Sequence, residues 1–172
     1  MIKNTTQGRP KLLDQSHPVD RFDCGDGALN QFLAVYAWPS QRSGSSRTYV
    51  SLRVEEVTGF YTLAAGSISF GDAPDRLKKG QPQHDLPMIL LARLAVAAEF
   101  QGCGLGAGLL RDALLRSQTA AEIIGARGIV VDAKDEKSSD FYQKFGFTPF
   151  TNDQLKLFVL FKDIRRMLAD ST

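Results

Sequence analysis

The stretch that decides the fold runs from Met88 to Leu115, MILLARLAVAAEFQGCGLGAGLLRDALL. Its first nine residues are apolar apart from Arg93 and do not alternate, which predicts a strand covered on both faces at the centre of a sheet. A turn carrying Gly102, Gly104 and Gly106 follows. Then Leu105, Leu109, Leu110, Ala113 and Leu114 draw an apolar stripe along a helix, with Arg111, Asp112 and Arg116 read as outside it. Gly125 and Gly128 punctuate the helix end, and GIVVDA (128–133) reads as a second buried strand. Strand, helix and strand in this order predict a βαβ unit with its two strands parallel.

Working outward, Val50, Leu52 and Val54 alternate with Tyr49, Ser51 and Arg53, the period of a half-buried strand. GFYTLAAGSIS (59–69) lies close enough to be its antiparallel hairpin partner. Before them, Leu29, Phe32, Leu33 and Tyr36 fall at helical spacing from Asp26, with Pro39 expected to end that helix. Residues 71–87 read as a long polar loop with a basic turn. After Asp132 come a short helix over about 136–145, capped by Asp135, and two closing strands, near Thr148 and from Lys156 to Phe161. The expected fold class is α/β (α+β): a mixed central sheet, antiparallel early and parallel at the centre, flanked by helices. At 172 residues it is expected to be one domain, 1–172.

Bulk properties exclude more than they assign. A formal net charge of +2 is compatible with a polyanionic partner without arguing for one. Cys24 and Cys103 are too few for a disulfide framework, and no apolar run resembles a signal peptide. The longest apolar run, 88–96, is far short of the roughly 20 residues of a membrane span. With only His17 and His84 and no Cys-x-x-Cys, no metal site is expected. The expected location is the cytoplasm.

A phosphate-bearing ligand needs backbone N–H groups aimed at it, and a helix N-terminus supplies unsatisfied ones with a favourable dipole. The glycines stand where a central strand exits and a helix begins, the usual ligand position in α/β sheets. A tight strand-to-helix turn with no ligand is the plainer alternative. A nucleoside triphosphate loop would need Gly-Lys-Ser/Thr, which Leu105-Gly106-Ala107 does not offer. A dinucleotide fold needs several further βα units, and only about 40 residues follow Asp132. Coenzyme A remains.

The run Gln101-Gly102-Cys103-Gly104-Leu105-Gly106 resembles the pyrophosphate loop of GNAT acetyltransferases, Arg/Gln-x-x-Gly-x-Gly/Ala, and FYQKFGF (141–147) resembles that family's late helix. More narrowly, FDCGDGALNQFL (22–33), RTYV (47–50), GFYTLAAGSI (59–68) and LARLAV (91–96) resemble the GNAT-type toxins of bacterial toxin–antitoxin pairs. Two departures are Ala92, where a glycine is usual, and Ala97, where an acid is common.

The resemblance implies acetyl-coenzyme A as cofactor, with its pantetheine arm along Leu94, Ala95 and Val96. It puts the pyrophosphate on Gln101, Gly102, Cys103, Gly104, Leu105, Gly106 and Ala107. It also makes Tyr142, which spacing alone reads as an ordinary half-buried aromatic, the general acid for the departing thiolate. The implied acceptor is the α-amine of aminoacyl-tRNA, whose acetylation stops translation. The implied partners are a ribbon–helix–helix antitoxin and a second copy of the chain. Candidate RNA contacts are Arg76, Lys78 and Lys79 in the long loop, Arg93 in the central strand, and Arg42 and Arg47 before the hairpin. Any exposed one of these has simple solvation as its alternative, and Arg93 has a buried acid.

No general base stands out beyond Glu99 and Asp132 at strand ends. An α-amine with a pKa of about 7.7–8.0 needs little help, whereas a lysine near 10.4 would. Cys103 has no histidine near it in sequence to activate it as a nucleophile. Two other functions stay open: acetylation of a small amine or a protein N-terminus, and a non-catalytic coenzyme A-binding module.

Overall fold

The structure, a computed structural model, describes residues 8–170. Among them, strands β1 (Lys11–Leu12), β2 (Arg47–Arg53), β3 (Glu56–Ile68), β4 (Leu86–Val96), β5 (Gly128–Asp132), β6 (Thr148–Phe150) and β7 (Asp153–Leu160) form one sheet. Its order is β1-β2-β3-β4-β5-β7-β6, parallel at β4–β5 and otherwise antiparallel, and the early antiparallel hairpin and central parallel pair are those the sequence predicts. The helices are α1 (Gly27–Gln31), α2 (Ala37–Arg42), α3 (Asp75–Lys78), α4 (Leu105–Ile124), α5 (Glu136–Lys144) and α6 (Phe161–Asp170). By contact the chain divides into two compact units. One is drawn from the chain up to Ala64 with Ala92–Ala113, the other from Ala65–Leu91 with the chain from Leu114 on.

In the first unit, the β2–β3 register sets Val50 opposite Phe60, and both belong to a core with Leu13, Leu33, Ala37 and Ala95. Burying those side chains contributes about 1.5–3 kcal/mol for each of the larger ones. The hairpin turns through Val54 and Glu55, and Val54 has φ 58 and is 87% exposed. The sequence reading placed Val54 in the strand. A two-residue hairpin turn demands positive φ, and turn geometry overrides the alternation there.

The Asp26 cap is present: its Oδ1 accepts from the amides of Ala28 at 3.0 Å and Leu29 at 3.4 Å. Pro39 does not end the helix. Residues Phe32–Tyr36 form a π-helical turn, and the Ala37 amide donates to the Phe32 carbonyl. The α-helix restarts at Ala37, so Pro39 falls in a first turn, where its missing N–H costs nothing. The wider turn also leaves Tyr36 exposed, off the apolar face that helical spacing assigns it.

Gly59 lets α4 approach β3. A Cβ there would stand 2.8 Å from Leu109 Cδ1 and 3.1 Å from the Ala95 carbonyl oxygen. Gly59→Ala is therefore expected to destabilise by about 1–3 kcal/mol through overpacking, read from the urea unfolding midpoint.

In the second unit, β5 pairs on one side with β4 (Ile89 to Ile129, Leu91 to Val131) and on the other with β7. Residues Gly128–Val131 are buried without alternation, so both faces of β5 are covered, which explains its continuous apolar run. The core there gathers Ile68, Leu77, Leu86, Met88, Val130, Phe150, Phe158 and Leu160. The long loop contains the short helix α3. The chain past Leu160 is helical, where the sequence reading ended the domain on strands with Phe161 in the last. Phe161 and Ile164 are buried and Lys162, Arg165 and Arg166 exposed, so the period turns from two to helical at Phe161. The last strand also begins earlier, at Asp153 rather than Lys156.

Candidate active site

Past β4, a single 3₁₀ turn (Ala98–Phe100) leads to Gln101. The Gln101 side chain doubles back, its Nε2 donating to the carbonyls of Val96 at 2.9 Å and Cys24 at 3.0 Å. Those bonds tie the loop entrance to the strand end. Gly102 and Gly104 have φ 79 and 87, and no atom lies within 4 Å of where a Cβ would stand on either. Only glycine takes that left-handed backbone without strain. The amides of Gly102, Cys103, Gly104, Leu105, Gly106 and Ala107 donate to no acceptor among the described residues, whereas that of Gly108 already bonds the Gly104 carbonyl.

Six successive N–H groups with no acceptor among the described residues, leading into a 20-residue helix and with open space beside Gly102 and Gly104, fit a diphosphate. Cys103 is exposed and its thiol donates to the Phe100 carbonyl at 2.7 Å, a loop-closing contact.

Leu94, Ala95 and Val96 lie beyond Leu91, the last β4 residue paired with β5. Ala95 is buried in the core cluster while Leu94 and Val96 are half-buried.

Tyr142 stands on α5, whose start is capped by Asp135 accepting from the Ser138 amide at 2.8 Å. That bond holds the Asp135 carboxyl below the usual range. The helix is anchored by Ser139 Oγ donating to the Gln154 carbonyl at 3.1 Å. The Tyr142 ring is buried edge-on against Phe141 and Phe147, at 5.2 and 5.4 Å between centroids. Its hydroxyl has no partner among the described residues. It is also not one of the sealed, unsatisfied polar atoms, which are Trp38 Nε1, Ser117 Oγ and Arg127 Nε. Burial pushes the phenol well above its ordinary value, so its proton stays in place at neutral pH. An O–H with a free donor and a firmly held proton suits a general acid.

The basic candidates differ in how free they are. Arg76 is ion-paired with Asp163 of α6 at 2.9 Å, and Lys78 lies over the Phe70 ring at 5.2 Å. Arg127 Nη2 donates to the carbonyls of Arg76 and Leu77 at 3.5 and 3.3 Å, holding that turn in place. Lys79 and Arg42 are exposed. Arg47 donates to the carbonyls of Gln41 and Ser46, both at 3.1 Å. Arg93 stacks on Phe32, in place of the buried acid that the sequence left open. Glu99 and Asp132 are exposed, and Asp132 pairs with Lys156 in the β5–β7 ladder.

One group was misread from the sequence. Asp112 is buried, accepting from Tyr61 Oη at 2.5 Å and Arg9 Nε at 3.0 Å. Leu105, Leu109 and Asp112 stand at i, i+4 and i+7, so helical geometry puts Asp112 on the stripe itself. The phenol and guanidinium make its burial tolerable, and the bond clamps α4 to β3 just behind the glycine loop.

Residues 45–149 match the model of the acetyltransferase (GNAT) domain. A tRNA-acetylating toxin of Mycobacterium tuberculosis is 40% identical over 161 residues, covering 94% of this chain and 96% of that one. Among solved structures, AtaT complexed with acetyl-methionyl-tRNAfMet matches with a TM-score of 0.85 at 31% identity, over 92% of this chain and 98% of that one. A tyrosine-to-phenylalanine mutant of the AtaT toxin, bound to the C-terminus of the antitoxin AtaR and acetyl-CoA, matches with a TM-score of 0.79 at 30% identity. It covers 93% of this chain and 97% of that one.

Proposed function

The chain belongs to the GNAT acetyltransferases, and from that premise we propose that it moves acetyl from acetyl-CoA to the α-amine of aminoacyl-tRNA and so arrests translation. The whole chain, 1–172, acts as one catalytic domain in the cytoplasm. It works as a homodimer, neutralised by a ribbon–helix–helix antitoxin. What carries the reading is the loop whose six amides, Gly102 to Ala107, meet no acceptor among the described residues, in a chain 40% identical to a tRNA-acetylating toxin.

Acetyl-CoA supplies an acetyl thioester, whose carbonyl carbon the amine attacks as the C–N bond forms and the C–S bond breaks. The loop amides from Gly102 to Ala107, with Gln101 bracing their entrance, hold the diphosphate. The backbone of Leu94, Ala95 and Val96 orients the pantetheine arm. The Tyr142 hydroxyl gives its proton to the departing sulfur and recovers one from the nitrogen, directly or through water, so the protein ends as it began. No protein base is required, because a fair fraction of an α-amine is already unprotonated and nucleophilic at neutral pH. Arg42, Arg47, Arg76, Lys78, Lys79 and Arg93 are the RNA phosphate contacts, with Arg76 the weakest because Asp163 already neutralises it.

Cell-free translation tests this. Added protein should stop synthesis only when acetyl-CoA is present, and fresh aminoacyl-tRNA should restart it. Synthesis that continues with both present, or that fresh aminoacyl-tRNA does not rescue, would contradict the reading.

A further inference from the structure

The guanidinium carbon of Arg93 stands 4.2 Å from the centroid of the Phe32 ring. That ring in turn stacks on Phe60, with centroids 6.2 Å apart and planes at 20°. Phe60 is fully buried and is held edge-on by Phe22 at 5.4 Å. Arg93 thus rests on a ring that is itself packed against the core.

A guanidinium carries five N–H donors in one plane. One nitrogen of this one, Nη1, donates to the Ala92 carbonyl at 3.2 Å, and no carboxylate pairs with Arg93 among the described residues. A half-buried cation held over a ring, with donors to spare and no carboxylate partner among the described residues, is prepared for an external anion. A phosphate matches its planar fork in geometry and charge.

The Phe32 amide bonds the Ala28 and Leu29 carbonyls, so regular α1 geometry sets its ring in place, and its carbonyl opens the π-helical turn. The Ala37 amide reaches back five residues to the Phe32 carbonyl, and such wide turns concentrate at functional places. Arg93 lies three residues up β4 from Val96, about 10 Å at 3.3 Å per residue. It is therefore set back from the amides that suit the diphosphate.

We propose that Phe32 is a positioning residue, whose ring, seated on Phe60, presents the Arg93 guanidinium to a phosphate of the RNA acceptor. This rests on the aminoacyl-tRNA reading above.

The test measures acetyl transfer to charged tRNA, with acetyl-CoA affinity and thermal unfolding followed in parallel. Phe32→Leu is expected to raise KM for charged tRNA about 3- to 30-fold, the range of a half-buried cation–π contact, with kcat changing much less. Its acetyl-CoA Kd should stay at the wild-type value. Phe32→Tyr keeps the ring face and should restore KM. In combination with Arg93→Ala, Phe32→Leu should add almost nothing, and either change should lower the salt slope of log KM by about one. Should Phe32→Leu melt early, Phe32→Met keeps the bulk without a ring and carries the same expectations.

Additive effects of the two residues, an unchanged KM in a folded variant, or a parallel loss of acetyl-CoA affinity would each overturn the inference. A wild type that transfers nothing to charged tRNA would remove the acceptor reading and this inference together. A wild type that does transfer, with Phe32 indifferent, would remove the inference alone.

Discussion

Tyr142→Phe is expected to lower kcat for acetyl transfer about 10²- to 10⁴-fold while leaving acetyl-CoA binding and the fold in place. The substitution removes one oxygen from a ring packed edge-on between Phe141 and Phe147. That oxygen bonds no described residue, so nothing inside the protein is left unpaired by its loss. The effect should therefore fall on proton delivery to the sulfur and appear in kcat rather than KM. A kcat within threefold of wild type would assign the acid elsewhere.

The pH profile follows from the same burial. Since the Tyr142 phenol titrates above its ordinary range, activity should rise with pH as the acceptor amine deprotonates, with no fall from Tyr142 below pH 10. Stability carries the opposite signature. Above about pH 10 the unfolded chain releases a phenolic proton that the folded chain keeps, so folding weakens as pH rises further.

The second large effect is expected at the loop. Gly104→Val places a β-branched residue at φ 87, a backbone that costs about 1–3 kcal/mol for such a side chain. It also fills the open space in front of the free amides. Coenzyme A affinity, measured by titration calorimetry, should fall at least tenfold, and the loop strain should lower stability as well. Gly108→Ala is the control. It lies inside α4, with no positive φ and open space around the added methyl, so it should stabilise by roughly 0.5–1 kcal/mol and leave affinity alone. Wild-type affinity in Gly104→Val would mean that these amides do not hold the diphosphate.

The parts of this molecule that follow local rules were legible. Met88–Val96 is apolar because β4 is central, Asp26 and Asp135 cap helices because their carboxylates reach the next amides, and the glycines open α4. What failed depended on partners that spacing does not reveal. Asp112 reads as solvated until Tyr61 and Arg9 meet it, and Arg76 reads as a free cation until α6 brings Asp163. The π-helical turn shifts the helical phase after Phe32, which misplaced both Pro39 and Tyr36. Phe161 reads as a strand end because its apolar neighbours continue unbroken from Leu157, and only Lys162, Arg165 and Arg166 mark the new period.

The same distinction applies at the site. The glycine loop is a property of consecutive residues. The stack of Arg93 on Phe32 and Phe60 joins residues that are far apart in the chain.

The most direct measurement is transfer of labelled acetyl from acetyl-CoA to total charged tRNA, wild type beside Tyr142→Phe. The account predicts label on the aminoacyl end of the RNA, released with the amino acid on mild alkaline hydrolysis and nearly absent with the variant. Label that never reaches RNA, from protein that binds coenzyme A, would contradict it.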